Sequence, residues 1–136
     1  MPSFVCFHGT QEIFEAFKTP AWFSNTFEYA ENFASYWGPL GSRTDSSRVV
    51  IAEVEIANPY YTRDWCVTEP QSGDLLKEIQ SAGHDGIVFT SPENDQEIEY
   101  VVFKSDQIRQ IKSVSVAKVC GNLPEQNADS FPRLGI

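Results

Sequence analysis

Apolar residues recur along this chain with two different periods, and the switches between them mark out its elements. Ser3-Phe4-Val5-Cys6-Phe7 is an aromatic and β-branched run that predicts a short buried strand, ending at His8-Gly9-Thr10. The spacing then lengthens. Ile13, Phe14 and Phe17 fall on one helical face, which predicts a helix over 11–18, capped by Thr10 and closed by Thr19-Pro20. Ala21-Trp22-Phe23-Ser24 reads as a very short strand or turn. A second helix is expected over 27–37, with Asn25 or Thr26 as its cap and Phe27, Ala30, Phe33, Ala34 and Trp37 as its apolar stripe.

Residues 38–47 are loop by composition. Alternation returns from Val49 to Ala57, with Val49, Ile51, Val54 and Ile56 set against Glu53 and Glu55, which predicts a strand that Asn58-Pro59 ends. Tyr60, Tyr61 and Trp65 belong to an aromatic loop. Residues 73–82 suit a third helix, stopped by Gly83. Strands follow over 86–90, 97–103 and 107–117, with a polar turn at 91–96. Beyond residue 118 the composition becomes polar and proline-bearing, so the division expected is a domain over 1–118 and a tail over 119–136. Strands and helices do not alternate regularly. The class expected is therefore α+β with mixed or antiparallel sheets and two to three flanking helices.

A chain of 136 residues suits one domain, and 41% apolar content with 13% aromatic is enough for a core without metals or disulfides. The net charge of −9 disfavours nucleic acid, which needs clustered Lys and Arg to replace its counterions. Only Lys104, Arg109 and Lys112 come close together. Cys6, Cys66 and Cys120 cannot all pair, which fits a reducing compartment. No basic-then-apolar leader and no run of membrane-spanning length is visible, so a soluble cytoplasmic protein is expected, with no membrane partner. Delivery into a host cell is left open. Two histidines and three scattered cysteines have no metal-ligand spacing, so no metal site is expected. There is also no glycine-rich dinucleotide or phosphate loop.

Four segments carry candidate chemistry: Phe7-His8-Gly9-Thr10; Trp22-Phe23-Ser24-Asn25 with Tyr29-Ala30 and Phe33; Gly83-His84-Asp85-Gly86; and Glu97-Ile98-Glu99-Tyr100-Val101-Val102-Phe103 with Gln107-Ile108. In this order and spacing the set resembles the ADP-ribosyltransferase superfamily, in the branch with a His–Tyr–Glu triad that includes poly(ADP-ribose) polymerases and diphtheria toxin. It is similar too to the small ADP-ribosyltransferase domains of phage and mobile-element polyvalent proteins. The resemblance spans residues 4 to about 113. It implies split β-sheets, NAD as co-substrate, and transfer of ADP-ribose to an acceptor, expected to be a protein. Such an enzyme would be a toxin, an effector or a phage-encoded host modifier.

Carried onto this chain, the resemblance makes His8, Trp22 and Glu99 the catalytic set. His8 would hydrogen-bond an NAD ribose, and the Gly9 backbone would hold the nicotinamide carboxamide. Trp22 and Phe33 would flank the ring, and Thr10, Phe23 and Ser24 would complete the NAD contacts. Trp22 stands where the family has tyrosine: it keeps a stacking face but has no hydroxyl, and Phe23 or Tyr29 are alternatives for that role. Glu97, two residues before Glu99, would face the acceptor. The residues support this chemistry on their own terms. Nicotinamide in NAD is a cation that aromatic faces attract by about 0.5–2 kcal/mol each. A carboxylate stabilises the oxocarbenium-like sugar left when the nicotinamide departs. Two other readings stay open, an NAD glycohydrolase and a catalytically inactive binding module of the same fold. His84 is expected to sit in a turn, and Cys6 is not expected to form a nucleophilic pair with His8.

Overall fold

The computed structural model describes residues 3–64 and 73–116. The expected tail over 119–136, with Trp65, Cys66 and Cys120, lies outside the described residues. The fold is α+β. Its strands are β1 (Ser3–Thr10), β2 (Ala21–Ser24), β3 (Arg48–Glu55), β4 (Pro59–Thr62), β5 (Gly86–Thr90), β6 (Ile98–Val102) and β7 (Ile108–Ser115). Its helices are α1 (Phe27–Phe33), between β2 and β3, and α2 (Gly73–Ser81), between β4 and β5. The strands form one mixed sheet in the order β4-β5-β6-β2-β1-β3-β7, antiparallel throughout except for the parallel β4–β5 pair.

The sheet is nearly two sheets. β1 pairs with β3 along its whole length, from Ser3↔Glu55 to Thr10↔Arg48. Its other edge meets β2 at the single pair Phe7↔Ser24. Strand 1 therefore does not stop at His8 as expected but runs to Thr10, held by β3 alone while β2 diverges.

The helix expected over 11–18 does not form, although the apolar spacing allows one. Gln11 is buried, and its side-chain amide donates to the carbonyls of Ser35 (2.9 Å) and Ser42 (2.8 Å), while its Oε1 accepts from the Leu40 N–H. The Gln11 carbonyl, which a helix would need for its first turn, accepts from the Thr44 hydroxyl at 2.8 Å. Long-range hydrogen bonds thus outcompete a local ladder. Thr10, instead of capping a helix, accepts from the Glu12 N–H in a short turn. The segment remains an ordered loop that ends in a cis Thr19–Pro20 peptide, and Phe14 and Phe17 fold back onto β1.

α1 starts as the capping chemistry predicts but ends at Phe33, short of the expected residue 37, and Ala34 to Trp37 form a turn closed by the Trp37 N–H on the Asn32 carbonyl. Thr26 is extended and its hydroxyl accepts from the Tyr29 N–H. Asn25, the alternative cap, instead latches β2 to β6: its Oδ1 accepts from the Ile98 N–H and its Nδ2 donates to the Gln96 carbonyl. Pro59-Tyr60-Tyr61, expected as loop, forms the edge strand β4, with proline at the first position where a missing N–H costs nothing. Gly83 ends α2 at φ +101°.

Two cores lie on the two faces of the sheet. One gathers Cys6, Phe23, Val50, Ala52, Val54, Tyr100 and Val102 under Phe14 and Phe17. The other packs Leu76 and Ile79 of α2 on Ile87, Phe89 and Val101. The Gly83–Gly86 segment and Gln107 brace the ends of the strands. The Asp85 carboxylate accepts from the Ala57 and Asn58 N–H groups, and the Gln107 amide donates to the carbonyls of Glu55 and Asp85. His84 sits in the turn, hydrogen-bonded to the Asn58 carbonyl.

Gly9 is where α1 meets β1. A Cβ at this position would lie 1.7 Å from the Ala30 carbonyl oxygen, which is helix backbone and cannot rotate away. Gly9→Ala should therefore destabilise the protein by about 3 kcal/mol, as severe overpacking does. Gly73→Ala, where an added methyl meets nothing within 4 Å, should stay within about 0.5 kcal/mol. Urea denaturation of the two variants checks both; equal stability would mean that α1 does not rest on residue 9.

Candidate active site

Directly paired residues of antiparallel strands share a face. The pairs Phe7↔Ser24 and Ser24↔Glu99 therefore set Phe7, Ser24 and Glu99 in a row across three adjacent strands, β1, β2 and β6. Gly9 and Trp22 lie on the same face, each two residues from a member of the row. α1 passes over this row with Tyr29, Ala30 and Phe33. Between helix and sheet is a cleft of about 290 Å³, bordered by these residues together with His8 and Phe23. It lies over the part of the sheet where β1 and β2 diverge.

Glu99 projects from the middle of three paired strands, a rigid mount: it opposes Ser24 on β2 and Phe89 on β5. The Asn25 latch fixes the residue just before it. Burial pushes its carboxyl above the usual carboxylate range, and the nearby charge of Glu97 adds to this. A hydrogen bond from the Tyr29 hydroxyl to Oε2, 3.1 Å long, works in the opposite direction. The Tyr29 hydroxyl is itself driven well above its ordinary value, first by burial and then by the Glu99 charge, so it stays protonated as the donor.

His8 borders the same cleft, but its ring points elsewhere. Being one residue from Phe7, it turns to the opposite face, where it packs against Phe14, Phe17 and Phe23 at centroid distances of 5.9, 5.0 and 5.5 Å. Its Nδ1 lies 2.7 Å from the Trp22 carbonyl. A carbonyl only accepts, so the proton is on Nδ1 and Nε2 is the lone-pair nitrogen. This bond spans the gap where β1 and β2 have no ladder. Burial lowers the imidazole's pKa, against the opposing effect of the carbonyl, and favours the neutral ring. His8 and Glu99 are thus brought to one cleft without touching.

The remaining expected residues divide. Gly9, Trp22, Ser24 and Phe33 line the cleft with Glu99. Trp22 also packs against the α2 core, and its indole N–H is buried without an acceptor among the described residues. Phe33 is 39% exposed at the mouth, edge-on to Tyr29 and Trp37. Phe23 borders the cleft, but its ring is buried in the opposite core. Thr10 lies outside the cleft, on an adjoining groove that also contains His8, Phe14, Lys18 and Trp22. Glu97 is exposed just ahead of β6 and shares a shallow depression with Tyr29 and Glu99. Phe7 and Ala30 are cleft residues that sequence reasoning did not assign there. The spacing of Ala30, three residues before Phe33, was the available signal, since it puts both on one helix face.

Cys6 is chemically quiet: burial pushes its thiol up to about 12, and it donates to the Ala52 carbonyl. Among the described residues, no group of three or more metal-ligating side chains comes together, and no helix is long and apolar enough to cross a membrane. Arg109, from the expected basic patch, is paired with Glu53. Comparison of the chain with protein-family models, with curated proteins and with solved structures returns no match.

A lowered imidazole pKa means that the folded protein binds fewer protons than the unfolded chain just below neutrality. His8 should therefore make stability fall as the pH drops from about 7 to 5. Denaturant unfolding at several pH values should give a shallower decline for His8→Gln than for the wild type. Parallel curves would show that the ring is not held neutral.

Proposed function

We propose that the chain is an NAD-dependent mono-ADP-ribosyltransferase that cleaves the nicotinamide–ribose bond and passes ADP-ribose to a protein. The observation that carries this reading is Glu99: a partly buried carboxylate, hydrogen-bonded by Tyr29, in the lining of an aromatic-walled cleft between α1 and the sheet. The order of the sequence motifs supports the same superfamily. The residues present fit NAD. Trp22, Phe33 and Phe7 offer aromatic surface to a cationic ring. Gly9 borders the cleft without a side chain of its own, beneath the Ala30 backbone of α1.

In this reading the bond from ribose C1′ to the nicotinamide nitrogen breaks. Its electron pair passes to the ring and cancels the ring's charge, and positive charge develops on the sugar. The Glu99 carboxylate stabilises that charge and accepts a hydrogen bond from a ribose hydroxyl. An acceptor nucleophile then bonds to C1′ and gives up its proton; water in that place makes the protein an NAD glycohydrolase. His8 acts as a strut, setting the distance between β1 and β2 through the Trp22 carbonyl. The net charge of −9 favours a protein acceptor over a nucleic acid. Glu97, exposed beside Glu99, would meet that acceptor. A toxin, effector or phage-encoded host modifier would use such chemistry.

A second reading, a catalytically inactive ADP-ribosyltransferase-like module that binds a protein partner, is favoured by the His8 ring facing Phe14 and Phe17 instead of Glu99. Nicotinamide release from NAD, with and without cell lysate, separates the two. The enzyme should release nicotinamide, and Glu99→Gln should lose at least about a hundredfold in rate while NAD affinity stays within about tenfold. No release from the wild type under either condition would overturn the catalytic reading.

A further inference from the structure

Tyr29 is tied down at both ends. Its backbone N–H donates to the Thr26 hydroxyl at the start of α1. Its ring is wedged edge-on between Phe33 (5.6 Å) and Trp37 (5.4 Å). From this seat the hydroxyl reaches Glu99 Oε2 at 3.1 Å. No described residue donates to Oε1. The carboxylate therefore has one oxygen committed to the helix and one without a donor among the described residues, on a side chain that borders the cleft.

The groups that face Glu99 are few. Tyr29 comes from α1 and Glu97 from just ahead of β6, while His8 borders the same cleft from β1. The strands on either side oppose it with Ser24 and Phe89. Glu97 repels the charge on Glu99, and the described surroundings contain no cation paired with it. A lone carboxylate on a strand can rotate about its side-chain bonds, and only a fixed donor removes that freedom.

We infer that Tyr29 is the positioning residue of the site, holding Glu99 through Oε2 so that Oε1 is the oxygen presented to a ribose hydroxyl. This rests on the function proposed above. Tyr29 gives up no proton and forms no bond to substrate; it acts through the carboxylate. The helix is thereby coupled to the reacting centre: α1 carries both Phe33 at the mouth and the hydroxyl that aims the acid.

The test uses the full chain with glutamate labelled by 13C at the carboxyl and the Glu99 resonance assigned through Glu99→Gln. Removing a donor that favours the charged form should move the Glu99 titration to higher pH in Tyr29→Phe, with no NAD present. In the nicotinamide-release assay the same variant should lose about tenfold in kcat with KM within about threefold. An unchanged Glu99 titration together with unchanged kcat overturns the inference while leaving the proposed function standing. If the wild type releases no nicotinamide, the function fails, and the titration alone decides whether Tyr29 holds Glu99. Should Tyr29→Phe not fold, the 13Cζ resonance of Tyr29 in the wild type must follow the Glu99 titration; a resonance that stays still overturns the inference.

Discussion

Everything at the candidate site depends on one weak joint, the single residue pair Phe7↔Ser24 that links the two halves of the sheet. Had β1 and β2 zipped along their full lengths, the ladder would be continuous under α1. Instead β1 follows β3 to Thr10 while β2 follows β6, and the strands part at His8 and Trp22. The separation leaves backbone groups without ladder partners, which is costly wherever they are buried. The His8 imidazole offsets part of that cost by donating to the Trp22 carbonyl. The gap is thus held open at a defined width by a side chain placed on the face away from the cleft.

The second constraint is the approach of α1. The helix can lie close to β1 only because residue 9 has no Cβ. That closeness brings Tyr29 to within hydrogen-bonding distance of Glu99 and sets Phe33 at the mouth. Burial raises the cost of charge on Glu99, and the phenol partly compensates for it. A carboxylate in this state is poorly solvated and rigidly held, which makes its electrostatic effect on a developing positive charge larger than it would be in water. The same packing contacts that stabilise the helix therefore also tune the acid.

Much of this was legible in the sequence where the information is local. Alternation from Val49 onward, the Gly83 stop, the Thr26 cap and the aromatic stripe of α1 each involve neighbours a few residues apart, and they correspond to β3, the end of α2 and α1. The motif order pointed to Gly9, Trp22, Ser24, Phe33 and Glu99, and the structure gathers these in one cleft. What was not legible depends on distant partners. The helix expected over 11–18 is lost to the bonds of Gln11 with Ser35, Ser42 and Thr44. Tyr60 and Tyr61 become an edge strand only because β5, far along the chain, offers a partner. The orientation of His8 follows from strand alternation, but only once Phe7↔Ser24 is known to be the joint. The hydroxyl of Tyr29 meets a carboxylate 70 residues away, and no spacing rule announces that.

The proposal is that the cleft between α1 and the sheet accommodates the nicotinamide end of NAD. Two-dimensional 15N–1H correlation spectra recorded during a titration with nicotinamide mononucleotide test it most directly. The account predicts saturable shifts at the Gly9 amide, the Trp22 indole N–H and the α1 amides around Phe33, with β7 unmoved. Spectra that stay unchanged at millimolar ligand, or that move only at residues remote from β1, β2 and α1, would contradict it.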